Sequence, residues 1–573
     1  MIENLEEMTV ELTPAGRRAL REVRGMRQRL VLNPVTSAAL LLAATSVASV
    51  WAQTNPPQAP NAGQLDRQLR EAERVQEERE RSRKPVEPAL RVPPADAAVL
   101  GAGSVVLKLN ALVWGESKYL TQSELDALAK PLLGTQVSFE QLQQWVEQIN
   151  ALYRSKGQFA ARAILPPQTV QGGTVKVDLV ESKADALTLK GSNLVRESWV
   201  RRWVPVTKGE TVDTQALERG LQLWNASSDA RLTADMVPGE TAATTVVDAQ
   251  LQEPARWGGS VGLATDGNDT TGRAQANASL RWFSPTGLGD KVSLGLTKSQ
   301  GVKALSLQYA LPLHPSGTRL TVGASSSKFD IVSGPFAVLG INGASNSSQL
   351  GLQQPVWSSG PWSAELSAAW NRQRSETFTS GLSPGSTLLK SATYGVSVSR
   401  RMLESDLSAS YSAQSAELKP ANGTSQNYTI FFGAAAAQFS LSAGQSVSVR
   451  TAWQKTPVSV LPSTLQYSVG GPSLVRGYGA SAAFGEQGYS ASVEYLRAIN
   501  TSTTATVFYD RGSVWGATKT RLSIDSVGVG LDWRGSGSFE RVSASGHIAY
   551  AMTPNLASVT GRTRALLRVN YSF

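Results

Sequence analysis

The chain has no cysteine among its 573 residues. That excludes a disulfide framework, a Cys-ligated zinc and a thiol nucleophile. It has two histidines, His314 and His547. Neither stands in a catalytic context, and both read as loop or strand-surface residues. No P-loop pattern GxxxxGK[ST] occurs, so no nucleotide site of that kind is expected. Paired acids such as Glu77/Glu78 sit on a charged helix, with no nucleophile and base beside them. No catalytic residue, metal site or cofactor is therefore expected. The apolar stretch near the N-terminus, broken early by Asn33-Pro34, is short for a membrane anchor, and no other segment reaches the ~20 apolar residues of a spanning helix, so a membrane location of the remaining chain must rest on strands. The net charge is +10, from 55 basic and 45 acidic residues. The basic residues are dispersed, with no Lys/Arg block and no aromatic RNP-type motif. A solvated basic surface or a polar pore lining fits them better than a nucleic acid partner.

What is present begins with a leader over residues 1–52. Met26-Arg27-Gln28-Arg29 is a short basic start, Ala38 to Ala44 (AALLLAA) an apolar core, and Val50-Trp51-Ala52 a small-x-small cleavage site. Residues 1–25 mix acids and bases and fit no leader, which points to a start at Met26 or to an extended signal. A Pro-rich stretch follows, then residues 64–83 with six acids and six arginines among good helix formers. Opposite charges at i,i+4, such as Asp66/Arg70 and Glu77/Arg81, support a helix. Its sizeable apolar groups are Leu65, Leu69 and Val75, too few for a buried stripe. Such a helix belongs in water or in a polar tunnel. Residues 84–103 are a second Pro-rich linker.

Residues 104–182 read as a small α/β unit of order β-α-α-β-β. Val105 to Leu109 alternate like a strand. Thr121-Gln-Ser-Glu124 and Ser138-Phe-Glu-Gln141 are capping boxes that open two helices. In the second helix Phe139, Leu142, Trp145, Val146, Ile149, Leu152 and Tyr153 recur at helical spacing, and Gly157 ends it. Residues 183–254 repeat the order, with Asp213 capping a helix that carries Leu217, Leu221 and Trp224. Two copies make a tandem repeat, not a solenoid.

From residue 255 to 573 helical periodicity vanishes. About sixteen segments of roughly ten residues alternate apolar with small or polar residues, the dyad pattern of a transmembrane β-barrel. DSVGVGLDWR puts Val527, Val529, Leu531 and Trp533 outward and Gly528, Gly530, Asp532 and Arg534 inward. RALLRVNYSF puts Leu567, Val569, Tyr571 and Phe573 outward. Charged residues on the inner face argue against a soluble sandwich. In this order residues 455–488 form a long extracellular connection between the eleventh and twelfth strands, without secondary structure of its own. Loops of that length are usually functional.

At the tip of that connection stands Val475-Arg476-Gly477-Tyr478. On the next upward strand, Thr506, Phe508 and Asp510 take the lumen parity. A loop folded back into the barrel would let Arg476 meet Asp510, with Gly477 and Gly512 allowing close backbone approach. On these residues alone, two unrelated charges remain an open alternative.

The tip, followed by Phe508-Tyr509-Asp510-Arg511-Gly512, resembles the paired motifs of the outer-membrane assembly and secretion barrels. With two POTRA-like repeats and a helix ahead of them, the chain is most similar to the TpsB transporters of two-partner secretion. The resemblance implies a sixteen-stranded outer-membrane barrel, periplasmic POTRA units at 104–182 and 183–254, and a plug helix at 64–83. It implies a secreted TpsA-like exoprotein of adhesin or hemolysin type as partner, bound unfolded by strand addition and exported without ATP. It also implies that outer-membrane lipid surrounds the barrel, and that Tyr571 and Phe573 form the signal read by the barrel-insertion machinery. The alternative within the superfamily is an outer-membrane assembly factor, which usually has more POTRA units.

Overall fold

The computed structural model describes residues 61–67, 89–91 and 106–573, save 242, 360, 384, 403, 517–518 and 554–560. The leader expected at 1–52 lies outside these residues, as do residues 68–83 of the charged helix and most of the 84–103 linker. Leu90–Arg91 of that linker is a short strand, β1.

The first α/β unit runs through β2 (Val106–Lys108), β3 (Ala111–Trp114), α1 (Gln122–Ala129), β4 (Gln136–Ser138), α2 (Phe139–Ser155), β5 (Ala161–Ile164) and β6 (Thr174–Glu181). Both capping boxes form. The Thr121 and Ser138 hydroxyls accept from the N–H groups of Glu124 and Gln141, whose side chains return to the cap N–H. Gly157 takes φ +72°, where only glycine is unstrained, and ends the second helix. Leu142, Trp145, Val146, Ile149 and Tyr153 are the buried face of α2, and Trp145, Ile149 and Tyr153 share a core with Val177 of β6. Each fully buried side chain of this size contributes about 1.5–3 kcal/mol before entropy. The sheet order is β3-β6-β5, with β3 parallel and β5 antiparallel to β6. The strand expected at Val105–Leu109 is not the one in this sheet. Val106–Lys108 pairs instead with Gln136–Ser138, and Ala111–Trp114 joins β6.

The second unit comprises β7 (Lys183–Lys190), α3 (Glu197–Arg201), α4 (Thr214–Ser227), β8 (Arg231–Pro238) and β9 (Thr244–Gln252). It has the same topology: β7 is parallel and β8 antiparallel to β9. Asp213 caps α4 by accepting from the Ala216 N–H. Leu217, Leu221 and Trp224 are fully buried. One difference is informative. β1 lies parallel on the outer edge of β8, with Leu90 opposite Ala234 and Arg91 opposite Asp235, so the chain's own linker fills that edge.

A buried polar clasp joins the two units. The Gln158 side chain donates to Asp213 Oδ1 at 3.0 Å and accepts from the Thr214 N–H at 3.2 Å. The Thr214 hydroxyl donates to the Gly157 carbonyl at 2.6 Å. The second unit in turn seats on barrel turn 284–290. Arg196 N–H donates to the Gly287 carbonyl at 2.9 Å, the Ser284 hydroxyl to the Leu194 carbonyl at 3.1 Å, and Phe283 enters the unit's core.

Sixteen antiparallel strands form the closed barrel. They are β10 (Trp257–Ala264), β11 (Gln275–Phe283), β12 (Lys291–Ser299), β13 (Val302–Pro312), β14 (Arg319–Asp330), β15 (Asn342–Ser359), β16 (Trp362–Phe378) and β17 (Thr387–Arg401). Then come β18 (Ser405–Lys419), β19 (Gln426–Ser442), β20 (Gln445–Lys455), β23 (Gln487–Ala498), β24 (Thr503–Gly516), β25 (Lys519–Arg534), β26 (Val542–Ala551) and β27 (Thr563–Ser572). Between β20 and β23 lies a two-stranded ladder of β21 (Tyr467–Val469) and β22 (Ala483–Gly485). The barrel closes where β10 pairs with β27, from Ser260 opposite Ser572 to Ala264 opposite Arg568. Closure leaves no open edge, the condition for strands in lipid. Parity follows the expected alternation: Val527, Val529, Leu531 and Trp533 are exposed outward, as are Leu567, Val569, Tyr571 and Phe573.

Candidate functional site: a loop and a helix start inside the barrel

The long connection between β20 and β23 turns inward and packs on the lumen wall. Contrary to the expectation of a structureless loop, it carries the β21–β22 ladder and a short 3-10 turn at Ser463–Leu465. Leu461 and Leu465 cluster with Leu389, Leu418 and Ile430 on one wall. Val469, Val475, Tyr478 and Ala483 cluster with Val514, Ile524 and Ala551 on another. These wall residues have lumen parity on strands otherwise lined with small and polar side chains. The loop therefore brings its own apolar surface to two apolar patches.

The tip lands on strand β24. The Arg476 guanidinium donates from Nε to Asp510 Oδ2 at 2.8 Å and from Nη2 to Oδ1 at 2.7 Å, a bidentate pair. The Arg476 backbone N–H adds a third bond to Oδ2 at 3.1 Å, and the Ser492 hydroxyl donates to Oδ1 at 2.8 Å. Arg476 is 4% exposed and Asp510 is fully buried. Desolvating two charges is costly, and only good geometry with added hydrogen bonds offsets it. Both are present here, so the pair fixes where the tip sits.

Sequence reasoning missed the remainder of this network. Glu494 Oε1 lies 2.8 Å from Arg476 Nη2 and accepts from Arg450 Nη2 at 2.8 Å. Two arginines and two carboxylates thus balance inside the wall. Arg476 Cζ stands 3.4 Å above the Phe508 ring centroid, a cation–π contact in a desolvated setting. His547 meets the other side of that region, edge-on to Phe508 at 6.1 Å. The register held a signal for Ser492, which stands directly opposite Asp510. Glu494 and Arg450 are visible only once the strands are paired.

The glycines of both motifs mark close approach. A Cβ on Gly477 would lie 2.8 Å from Ser526 Cβ, and one on Gly512 would lie 2.8 Å from Val469 Cβ. The Tyr478 hydroxyl accepts from the Thr553 N–H at 2.9 Å and donates to the Asp525 carbonyl at 3.0 Å. Beyond it, Gly479 abuts the Arg564–Asp269 ion pair (2.6 Å), which joins β27 to the β10–β11 loop. The tip therefore spans from β24 to the strands that close the barrel. At the other end of that closure, Phe573 exchanges backbone hydrogen bonds with Gly259, both 2.9 Å, and Tyr571 stacks beside it.

Residues 62–67 are helical and lie in the lumen beside the loop. The helix starts two residues before the expected Gln64, because the Asn61 side chain caps it by accepting from the Gln64 N–H at 2.9 Å. Ala62 and Leu65 pack against Val302, Phe329, Ile331 and Ile341. Asp66 accepts from Gln373 at 2.9 Å and from Ser327 at 3.3 Å. Arg67 donates to Gln454 Oε1 at 3.1 Å and to the carbonyls of Thr464 and Gln466, both 3.3 Å. A polar helix start is thus held by polar groups of the wall and of the loop together.

Residues 243–535 match the family model described as haemolysin secretion/activation protein ShlB/FhaC/HecB, and residues 107–182 match the ShlB-type POTRA domain. The heme/hemopexin transporter protein HuxB of Haemophilus influenzae (strain 86-028NP) is 23% identical over 517 residues, 84% of this chain and 90% of that protein. The outer membrane transporter CdiB of Dickeya dadantii (strain 3937) is 22% identical over 51% of this chain and 53% of its own length. Among solved structures, CdiB from Escherichia coli superposes with a TM-score of 0.73 at 17% identity, covering 90% of this chain and 100% of that one. The chain belongs to the ShlB/FhaC/HecB family of two-partner secretion, a transmembrane β-barrel transporter of the bacterial outer membrane with a POTRA region in the periplasm.

Proposed function

We propose that the chain exports one secreted exoprotein, of adhesin or hemolysin type, which it receives unfolded in the periplasm. Both α/β units, 104–182 and 183–254, act as POTRA domains. The partner adds a strand to a sheet edge, the mode in which main-chain hydrogen bonds supply affinity. Among the described residues no strand pairs with the outer edge of β5 in the first unit, whereas the equivalent edge of β8 is filled by β1. First capture therefore falls to β5. The helix that starts at Ala62 is the resting plug, and the loop 456–486 is held in the lumen by Arg476 and Asp510. Folding outside the cell, with no nucleotide hydrolysed, draws the partner through. Tyr571 and Phe573, at the end of the last strand, serve as the insertion signal.

The observation that carries this reading is the character of the lumen filling. A helix start and a loop tip occupy the passage, held by side-chain hydrogen bonds, apolar side-chain contacts and the ion pairs of Arg476, and the ladder within the loop pairs β21 with β22 rather than with strands of the wall. Segments held this way can be displaced while the barrel stays closed. The test compares culture supernatants and outer membranes of cells with and without the chain. Loss of one large secreted protein, with outer-membrane proteins unchanged, supports a dedicated exporter. A general fall in outer-membrane proteins would make the chain an assembly factor instead.

A further inference from the structure

The barrel rim opposite the α/β units carries a charge pattern that export does not use. Lys298 is the last residue but one of β12, Lys303 the second of β13, and Lys328 lies near the end of β14. The register places Lys298 directly opposite Lys303, and Lys303 directly opposite Lys328. Opposed residues of antiparallel strands share a face, with Cβ atoms about 4.5–5.5 Å apart. Three lysine side chains therefore leave neighbouring positions of one face. All three are exposed, and their parity is the lipid-facing one: Leu296 and Leu305, exposed on the outer wall, lie two residues below Lys298 and Lys303. The flanking positions are Ala276 beside Lys298 and Ala344 beside Lys328, and the first acid along the row, Glu376, stands one strand beyond Ala344. Asp330, two residues beyond Lys328 on the same face, forms no ion pair with them among the described residues.

Like charges directly opposite one another destabilise a sheet. A row of three at the top of an apolar wall has a physical reason if an anion sits among them. A second feature adjoins it. An outward groove of about 500 Å³ runs from Lys298 across the β10–β27 closure, over Leu263, Ala276, Leu567 and Val569. The groove is apolar on the lipid-facing side of the wall, and Lys298 stands at its rim end.

We propose that this rim is a binding site for a phosphorylated, acylated glycolipid of the outer leaflet. Its phosphate lies across Lys298, Lys303 and Lys328, and one acyl chain lies in the groove at the barrel closure. A phosphate monoester carries close to two negative charges and three acceptor oxygens, and lysine binds it as a point charge. The bound lipid relieves the repulsion along the row and holds β12, β13 and β14 together beside the strands that close the barrel.

Thermal unfolding of the purified full-length chain in a zwitterionic detergent tests this, with heat-modifiable gel mobility as the folding control. Diphosphorylated lipid A should raise the melting temperature of the wild type, and its dephosphorylated form should not. Lys303→Gln should respond much less, and Lys303→Arg should respond like the wild type. Without lipid, Lys303→Gln should be at least as stable as the wild type, because the central charge opposes two neighbours. An equal response of the wild type and the K298Q/K303Q/K328Q variant would overturn the site. So would an equal effect of the dephosphorylated lipid. Inorganic phosphate alone giving the full shift would overturn the lipid assignment in favour of a free anion.

Discussion

Replacing Arg476 with alanine removes the guanidinium but leaves Asp510 fully buried, with Ser492 as its remaining side-chain donor. Breaking a buried ion pair from one side costs about 3–5 kcal/mol, mostly from the carboxylate left uncompensated. At ~1.4 kcal/mol per factor of ten, the ratio of docked to undocked loop falls by about two to three and a half powers of ten. The variant also forfeits the cation–π contact with Phe508 and leaves Glu494 with Arg450 as its cation. Val475 and Tyr478 keep their apolar contacts. The barrel itself loses no strand pairing, so heat-modifiable mobility should persist while secretion falls. Protease accessibility of residues 456–486 in whole cells reads the docking directly. The double variant Arg476→Ala/Asp510→Ala should lose less than the sum of the single changes, since neither charge is then left alone. Full secretion together with a protected loop in Arg476→Ala would refute the reasoning.

Three further outcomes are expected. Deleting residues 61–83 should raise single-channel conductance in planar bilayers, and unchanged conductance would show that the helix does not block the passage. In the first α/β unit, the hydrogen bond from Lys156, with others from Thr121, holds Glu124 down at about 2, from 4.5. The carboxylate's contribution is thus complete above pH 4.5 and lost as the pH falls towards 2. Lys156→Gln should flatten the acid dependence of hydrogen exchange in residues 106–182 across that window, and an unaltered profile would contradict the assignment. Removing Phe573 deletes two backbone hydrogen bonds to Gly259 and the aromatic end of the last strand. Less of the folded, heat-modifiable form should then reach the outer membrane, and wild-type amounts would exclude an insertion role.

The parts legible in the sequence are those in which each residue carries the signal. Val527 to Arg534 alternates because one face meets lipid and the other water, and the structure keeps that parity. The capping boxes at Thr121 and Ser138 are local chemistry, so the helix starts followed directly. The first strand of the first unit did not, because Val106–Lys108 and Ala111–Trp114 both alternate and only tertiary pairing chooses between them. β1 is two residues long and leaves no periodic trace. The Asn61 cap is hidden in a Pro-rich stretch. Arg476 and Asp510 stood out because each is a charge in an unusual place. Glu494, Arg450 and the row of lysines do not, since their meaning arises from the register of neighbouring strands.

In the proposed function the exported partner passes through the lumen. The adjacent residues Ser410 and Tyr411 of β18 point to opposite sides of the wall, Ser410 inward and Tyr411 outward beside Phe431 and Trp453. A photoreactive side chain placed at each position in turn, in cells secreting the partner, gives the most direct measurement. Passage through the lumen should give crosslinks to the partner from position 410 and none from position 411. Crosslinks from position 411 alone, or none from position 410 while secretion continues, would contradict it.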